Sequence, residues 1–251
     1  MEGGGDVMNK NLYNSVKFVI GEGFVTIEET GTLSDCELME LSNQFVRDPN
    51  FKEVKNLTLL VPAKFGKGAR NYIKNRGFKP HDEVYFVQKD LQKGWKECGH
   101  LFQLRPLGEV HEAVFKEIWH QSMEGSLNAP QSLNMDEQME SVKKEIGPSY
   151  ISTCLTVYEK GQPIGVVMPH IEPGTTEEGR IFYFGLIPEA RGKGKSTAVY
   201  SQGLALLKDK FGASYSVGAT SIHNKPMLRV FEKCGFDYMD KVTVYKRSLQ
   251  T

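Results

Sequence analysis

The chain contains few cysteines and no excess of charge of either sign. Its 251 residues include four cysteines, and 31 basic residues balance 31 acidic ones. A balanced charge predicts no large electropositive surface, so neither nucleic acid nor an anionic membrane is expected as a partner. The cysteines are scattered and lack the C-x-x-C spacing of metal and redox sites. We therefore expect a reduced, cytoplasmic protein without a bound metal.

The sequence also has no long apolar run, and we expect no secretory leader. No apolar stretch approaches the roughly 20 residues that a membrane-spanning helix needs. The first residues are small and acidic, unlike the basic and apolar parts of a signal peptide, and we expect residues 1–10 to form a flexible tail. The length allows one large domain or two modest ones.

A basic glycine turn between a predicted strand and a predicted helix is the most informative feature present. An apolar run that begins at Ile181 stops at Pro188, and a helix-forming segment begins at Ser196. The first amides of a helix have no intrahelical partners and lie at the positive end of its dipole, so the turn predicts a phosphate or pyrophosphate site. The residues expected to form it are Arg191, Gly192, Lys193, Gly194, Lys195 and Ser196.

Two nucleotide-binding motifs can be compared with this turn. The letters G-K-S-T from Gly194 resemble the end of a P-loop, but that motif requires a glycine five residues earlier, where the chain has Glu189. The dinucleotide fingerprint requires a third glycine where the chain has Thr197. A nucleotide-binding enzyme stays open as an alternative, and it predicts that ATP binds at Lys195.

Three residues of the turn form a further pattern. Arg191, Gly194 and Ser196 give Arg-x-x-Gly-x-small, which resembles motif A of the GNAT family, the Gcn5-related N-acetyltransferases. In that family the amides of the turn hold the pyrophosphate of acetyl-coenzyme A (acetyl-CoA). The resemblance therefore implies acetyl-CoA as the cosubstrate.

A second segment resembles motif B of the same family. Asn224 is followed seven residues later by Phe231, and then by Gly235 and Phe236. Asn224 also suits the N-cap of a helix, and Gly235 suits its C-terminal stop. A predicted helix and a predicted strand separate the two motifs, as the GNAT fold requires. The resemblance covers about residues 101–249.

The resemblance implies an α/β (α+β) fold in which a mixed, mostly antiparallel, twisted sheet carries helices on both faces. The N-terminal part echoes the end of this pattern, because a shift of 158 residues places Gly77 on Gly235 and Val84 on Val242. Either chance explains this similarity, or a smaller, related αβ unit, a degenerate GNAT half without the glycine turn, precedes the catalytic domain. On the second interpretation, the expected divisions are a domain over 11–92, a linker over 93–99 and a catalytic domain over 100–251.

The predicted elements follow from periodicity and from turn residues. Helices are expected over 68–78 with its Gly-Phe ending, over 109–122 and 135–146, and after Ser196 and Asn224. Strands are expected over 57–61, 84–87, 102–106, 151–158, 164–171, 181–188, 215–219 and 238–247.

The resemblance also implies roles for residues near the turn. The main chain at the end of the preceding strand, at Phe184, Gly185 and Leu186, would hold the pantetheine arm, and a bulge that splays two strands would free its amides. Asn224 would touch the cofactor or order the splayed strands. Phe231 also belongs to this cofactor region, but it occupies the position where many members have a tyrosine that protonates the departing thiolate.

A general base is harder to assign. The candidates are Tyr183 on the strand before the turn, and His170 and Glu172 at the end of the preceding strand. Each also has an ordinary structural interpretation, and many members of the family use ordered water instead.

The sequence thus predicts an acetyl-CoA-dependent N-acetyltransferase that acts on the amine of a small or amino-acid-like molecule, as a monomer or homodimer. A non-catalytic acyl-CoA-binding or regulatory module is the alternative from another class, and Phe231 supports it.

Overall fold

The structure is a computed structural model that describes residues 12–21, 23–93, 102–127 and 134–248. The expected tail over 1–10 and residues 94–99 of the expected linker lie outside these ranges. The strands are β1 (Lys17–Gly21), β2 (Phe24–Glu28), β3 (Asn56–Pro62), β4 (Lys79–Asp90), β5 (Gln103–Pro106), β6 (Leu155–Glu159), β7 (Gln162–Ile171), β8 (Glu178–Leu186), β9 (Tyr215–Ser221) and β10 (Asp237–Ser248). The α-helices are α1 (Asp35–Arg47), α2 (Lys67–Asn75), α3 (Glu112–Met123), α4 (Met135–Ile146), α5 (Tyr150–Thr153), α6 (Lys195–Asp209) and α7 (Lys225–Lys233). Within the described ranges, no helix is long and apolar enough to cross a membrane.

The chain divides into two compact units, which are residues 1–83 with 242–251, and residues 84–241. In the first unit the strand order is β1–β2–β3–β10, and in the second it is β4–β9–β8–β7–β6–β5. The pairs β2–β3 and β8–β9 are parallel, and the other pairs within each unit are antiparallel. The predicted mixed, mostly antiparallel sheet is therefore confirmed.

Helices cover both faces of the sheet in the second unit. Neighbouring side chains of a strand point to opposite faces, and β7 is apolar at consecutive positions. Met168 joins the core formed with Phe115 and Trp119 of α3. The preceding residue, Val167, packs with Val199 of α6 on the other face. The second sheet is thus a central layer between α3 and α6.

The first unit buries α1 and α2 in a separate core. A capping box begins α1, because the side chain of Ser34 accepts from the amide of Glu37 while the Glu37 carboxylate accepts from the amide of Ser34. The helix buries Leu38, Leu41 and Phe45 in this core. The sequence analysis missed β1, β2 and α1, although the Ser-x-x-Glu capping box was a signal for α1.

The two sequence repeats exchange their final strands. The shift of 158 residues that relates the two sequence segments also maps α2 onto α7 and β4 onto β10, end to end. From Val84 onward, β4 pairs with β9 of the second unit, whereas β10 pairs with β3 of the first unit from Val242 onward. Val87 lies in the core of the second unit and Tyr245 in the core of the first. Each sheet is completed by the strand that follows the helix of the other repeat.

One predicted strand begins later than expected. Residues 151–153, expected as part of a strand over 151–158, belong to helix α5, and β6 begins at Leu155. The amide of Cys154 donates to the carbonyl of Tyr150, and the hydroxyl of Ser152 donates to the carbonyl of Ser149. These local bonds close a helical turn, which leaves Ile151 exposed at the surface. By contrast, α4 has the predicted bounds.

Candidate functional site

An open cavity of about 610 Å³ lies in the second unit at the end of β8. Its walls come from the C-terminal end of α3, the end of β8, the glycine turn with the start of α6, and helix α7. The lining residues are Ser122, Gly125, Ser126, Leu127, Phe184, Gly185, Leu186, Arg191, Gly192, Gly194, Ser196, Thr197, Asn224, Pro226, Met227, Arg229, Val230 and Lys233.

The glycine turn brings the backbone to the cavity. Gly192 and Gly194 both have left-handed backbones, with φ of 70° and 74°. A side chain at either glycine would project into open space, with nothing within 4 Å of its Cβ. Helix α6 then begins at Lys195, and no side chain caps it. Its first amides are therefore available to an anion, and the dipole of this 15-residue helix favours negative charge there.

The guanidinium of Arg191 is bound by the protein itself. Its Nε donates to the carbonyl of Leu186 at 2.8 Å, and its two Nη atoms donate to the carbonyls of Glu124 and Ser122 at 2.6 and 3.1 Å. These bonds connect the turn to the end of β8 and to the end of α3. Arg191 thus fixes the position of the turn.

The ammonium of Lys195 is also engaged. Its Nζ donates to Oε2 of Glu159, which lies at the end of β6. Lys193 is exposed and does not line the cavity. The backbone amides of the turn, rather than these two lysine side chains, are therefore the groups that face a ligand.

A slot opens between β8 and β9. The two parallel strands pair only at Glu178 with Tyr215 and at Gly179 with Ser216, within the described residues. Beyond these pairs β8 continues to Leu186 and β9 continues to Ser221, but the two strands do not pair with each other again within the described residues. The peptide groups on the facing edges are thus available between the diverging strands.

A bulge in β8 lies just before the open end of the slot. Val167 of β7 is opposite Phe184, but Pro169 is opposite Ile181, so Phe182 and Tyr183 both lie across from the single residue between Val167 and Pro169. A bulge of this kind bends a strand and increases its twist. The expected bulge is present, but it lies directly before the segment for which it was expected.

The direction of the peptide groups beyond the bulge follows from one hydrogen bond. The amide of Ile187 donates to the carbonyl of Ile164 on β7 at 3.0 Å. Since alternate residues of a strand turn their peptide groups to the same side, the amide of Gly185 also faces β7. The amides of Phe184 and Leu186 therefore face the slot. An acyl-bearing thiol arm in this slot would meet donors and acceptors of residues 184 and 186.

The comparison with protein families agrees with this geometry. Residues 113–236 match the family model described as the acetyltransferase (GNAT) family. The match includes the bulged strand, the glycine turn and helix α7. The chain contains a GNAT domain. No curated protein matches the chain.

Solved structures of GNAT proteins share the fold over nearly the whole chain. A GCN5-related N-acetyltransferase from Sphaerobacter thermophilus is 11% identical, with a TM-score of 0.60 over 94% of this chain and 76% of that one. A tandem GNAT protein from the clavulanic acid biosynthesis pathway is 12% identical, with a TM-score of 0.60 over 94% and 79%. A GCN5-related N-acetyltransferase from Kribbella flavida is 9% identical, with a TM-score of 0.57 over 95% and 92%. The N-terminal half is therefore also GNAT-like in structure.

Tyr183, a candidate base, is a buried hydrogen-bond donor in this GNAT domain. Its hydroxyl donates to the carbonyl of Ser122 at 3.0 Å. Burial raises the pKa of Tyr183 to about 12, although Ser126 and the charge of Arg191 act in the opposite direction. The phenol is thus neutral at physiological pH. A Cβ at Gly185 would lie 2.8 Å from this hydroxyl, so glycine is needed there for close packing.

His170 and Glu172 come together, but they do not line the cavity. Nε2 of His170 lies 3.6 Å from Oε2 of Glu172, and the same oxygen lies 3.1 Å from Nε of Arg180. A second carboxylate, that of Glu178, is 2.6 Å from Nε of Arg180. His170 is 2% exposed, and neither of its ring nitrogens has a hydrogen-bond partner among the described residues. These side chains form a buried charged cluster between β7 and β8.

Asn224 lines the cavity and caps α7, as the two interpretations of the sequence allowed. Its Oδ1 accepts from the amide of Met227 at 3.3 Å, and its Nδ2 donates to Oγ1 of Thr220 at 3.1 Å. The second bond joins the start of α7 to β9. Asn224 therefore fixes one wall of the slot.

Phe231 lies in the core and not on the cavity wall. Its ring packs edge-on against Tyr200 and lies near Phe236, with centroids at 5.8 and 5.0 Å. A Cβ on Gly218 would approach the ring to 2.8 Å, so the ring covers this glycine of β9. Phe231 is 4% exposed.

The sequence analysis did not anticipate two parts of the cavity wall. Ser122, Gly125 and Ser126 close it from the end of α3, and Arg229 and Lys233 line it from α7. The sequence could have predicted that the two basic residues lie together, because residues four apart on a helix lie on one face. The sequence gives no sign that α3 reaches the cavity, because this depends on how that helix packs.

Proposed function

We propose that the protein is an acetyltransferase that moves an acetyl group from acetyl-CoA to the amine of a small or amino-acid-like acceptor. One observation supports it above the others: a single cavity joins an uncapped helix start to the diverging edges of β8 and β9. The first part suits a pyrophosphate and the second an extended arm with amide groups. Coenzyme A contains both.

The residues present fit that ligand in a specific way. The amides from Gly192 to Thr197 would bind the pyrophosphate, and the peptide groups of Phe184 and Leu186 would bind the pantetheine arm. Arg191 would contribute by holding the turn. When bound, acetyl-CoA supplies an activated acetyl group on a thioester. The protein's part is to orient it, to polarise its carbonyl with a backbone donor and to exclude water.

Proton transfer needs a separate account. Tyr183 is neutral and already donates its hydrogen bond, and Phe231 has no proton to give. None of the three candidate bases lines the cavity, and His170 and Glu172 are buried away from it. We therefore infer that ordered water in the cavity takes the proton from the acceptor amine.

The alternative is an acyl-CoA-binding or regulatory module, and Phe231 favours it because it has no proton to give at the position where many members of the family have a tyrosine. Thiol release from acetyl-CoA over a panel of amines distinguishes the two functions. We expect release with at least one amine and none without it. Coenzyme A binding without release from any amine would support the alternative. Absence of coenzyme A binding would contradict both.

A further inference from the structure

Helix α7 contributes two basic side chains to the cavity wall, in addition to the basic residues of the glycine turn. Arg191 is bound by three carbonyls, and Lys195 is paired with Glu159. Arg229 and Lys233 also line the cavity, from α7. Both are exposed, and neither has a hydrogen-bond or ion-pair partner in the part of the chain that the structure describes.

The two cations are placed to act together. Residues four apart on a helix have neighbouring side chains, so Arg229 and Lys233 share one face of α7. Like charges at this spacing repel one another, and no carboxylate of the described residues forms an ion pair with either of them. Two adjacent cations open to a cavity are a complementary partner for a dianion such as a phosphate monoester.

The cavity therefore has two kinds of anion-binding group, on different elements. The glycine turn offers backbone amides, and α7 offers two charged side chains. We propose that Arg229 and Lys233 bind the 3′-phosphate on the ribose of coenzyme A. The inference rests on the proposed function, because it assumes that the pyrophosphate lies at the turn.

This assignment defines the class of acyl donor. A donor with the complete nucleotide would use both groups. A 3′-dephospho donor would keep the pyrophosphate contacts and lose those with α7. A pantetheine arm carried on a protein lacks the ribose and its phosphate altogether. The protein is thus expected to select acyl groups carried on coenzyme A itself.

Calorimetric titration of the full chain with coenzyme A and with 3′-dephospho-coenzyme A tests the inference. We expect coenzyme A to bind about tenfold more tightly, because charge-assisted hydrogen bonds are strong even where salt weakens them. The double variant Arg229→Gln/Lys233→Gln should reduce this ratio to about twofold or less and leave the affinity for the dephospho form unchanged. Lys225→Gln is the matched control, since it removes a cation of α7 that does not line the cavity, and it should keep the tenfold ratio.

The outcomes separate the two proposals. Equal affinity of the wild type for both ligands would overturn the 3′-phosphate assignment and leave the proposed function standing. A double variant that keeps the tenfold ratio would also overturn it, as would an equal loss of affinity for both ligands. Failure of the wild type to bind either ligand would overturn the proposed function, and the inference with it.

Discussion

At the residue scale, Arg191 holds the glycine turn and the turn offers its backbone. The guanidinium of Arg191 donates hydrogen bonds to carbonyls at the end of β8 and at the end of α3, so it is engaged within the protein. The motif predicted the glycine turn and the start of the helix that follows it, and the anion site there stays a prediction. It could not predict which turn cations are engaged, because Glu159 and the end of α3 are remote in sequence.

Gly194→Val tests the turn at this scale. Its φ of 74° is costly for a branched residue, and the side chain would project into open space at a position that lines the cavity. We expect coenzyme A affinity to fall by about tenfold or more, and stability to fall by roughly 1–2 kcal/mol. Gly212→Val is the control, since Gly212 has a φ of 75° and open surroundings but does not line the cavity. Equal affinity losses in both variants would show that strain, not the site, is responsible.

Tyr183→Phe tests whether this phenol exchanges protons. Its pKa is raised to about 12, so it should stay protonated through the range of about pH 6 to 9. We expect the variant to keep the pH dependence of turnover in this range and to lose about 0.5–1.5 kcal/mol of stability with its hydrogen bond. Because an unfolded tyrosine ionises near pH 10, the wild type should lose stability from about pH 10 to 12, and the variant should lose less. A shifted pH profile of turnover between pH 6 and 9 would contradict the neutral role.

At the scale of elements, the slot between β8 and β9 depends on packing behind it. Phe231 and Asn224 hold α7 against β9, and Gly218 allows the ring of Phe231 to approach the strand. The sequence predicted α7 and the N-cap role of Asn224, because capping and glycine signals are local. The ring of Phe231 points into the core, where it packs against Tyr200 and Phe236. The spacing of the motif alone does not predict which way this ring points.

Tyr245→Ala tests the exchanged strand. Tyr245 is 2% exposed and lies in the core of the first unit, together with Phe45 and Phe78. Removing this ring should cost about 3–5 kcal/mol. Hydrogen exchange should show the greatest loss of protection in β3. Met239→Ala, at an exposed position of the same strand, should change stability by less than about 0.5 kcal/mol. A loss of protection concentrated in β9 instead would contradict the pairing of β10 with the first unit.

At the scale of the whole molecule, the sequence indicated the repeat but did not predict the exchange of the final strands. The shift of 158 residues reproduces the bounds of two helices and two strands. Which sheet each final strand joins depends on pairing between residues that are more than 100 positions apart, such as Val84 with Ser221. Composition and periodicity carry no information on such a choice.

Two fragments test this organisation. Residues 84–241 contain all of the second unit, whereas residues 102–241 lack the strand that pairs with β9. We expect the longer fragment to fold and to bind coenzyme A. The shorter one should expose the edge of β9 and lose Val87 from the core, with aggregation or a large fall in melting temperature. Equal melting temperatures and affinities for the two fragments would show that the pairing is dispensable.

The central claim is that coenzyme A binds with its pyrophosphate on the amides that begin α6. Hydrogen exchange of the full chain, with and without saturating coenzyme A, measures these amides directly. Residues 192–197, Phe184 and Leu186 should become strongly protected, and the start of α2 should stay unchanged because the first unit lacks the glycine turn. Unchanged exchange at 192–197 in the saturated protein would contradict the claim, and so would protection confined to the start of α2.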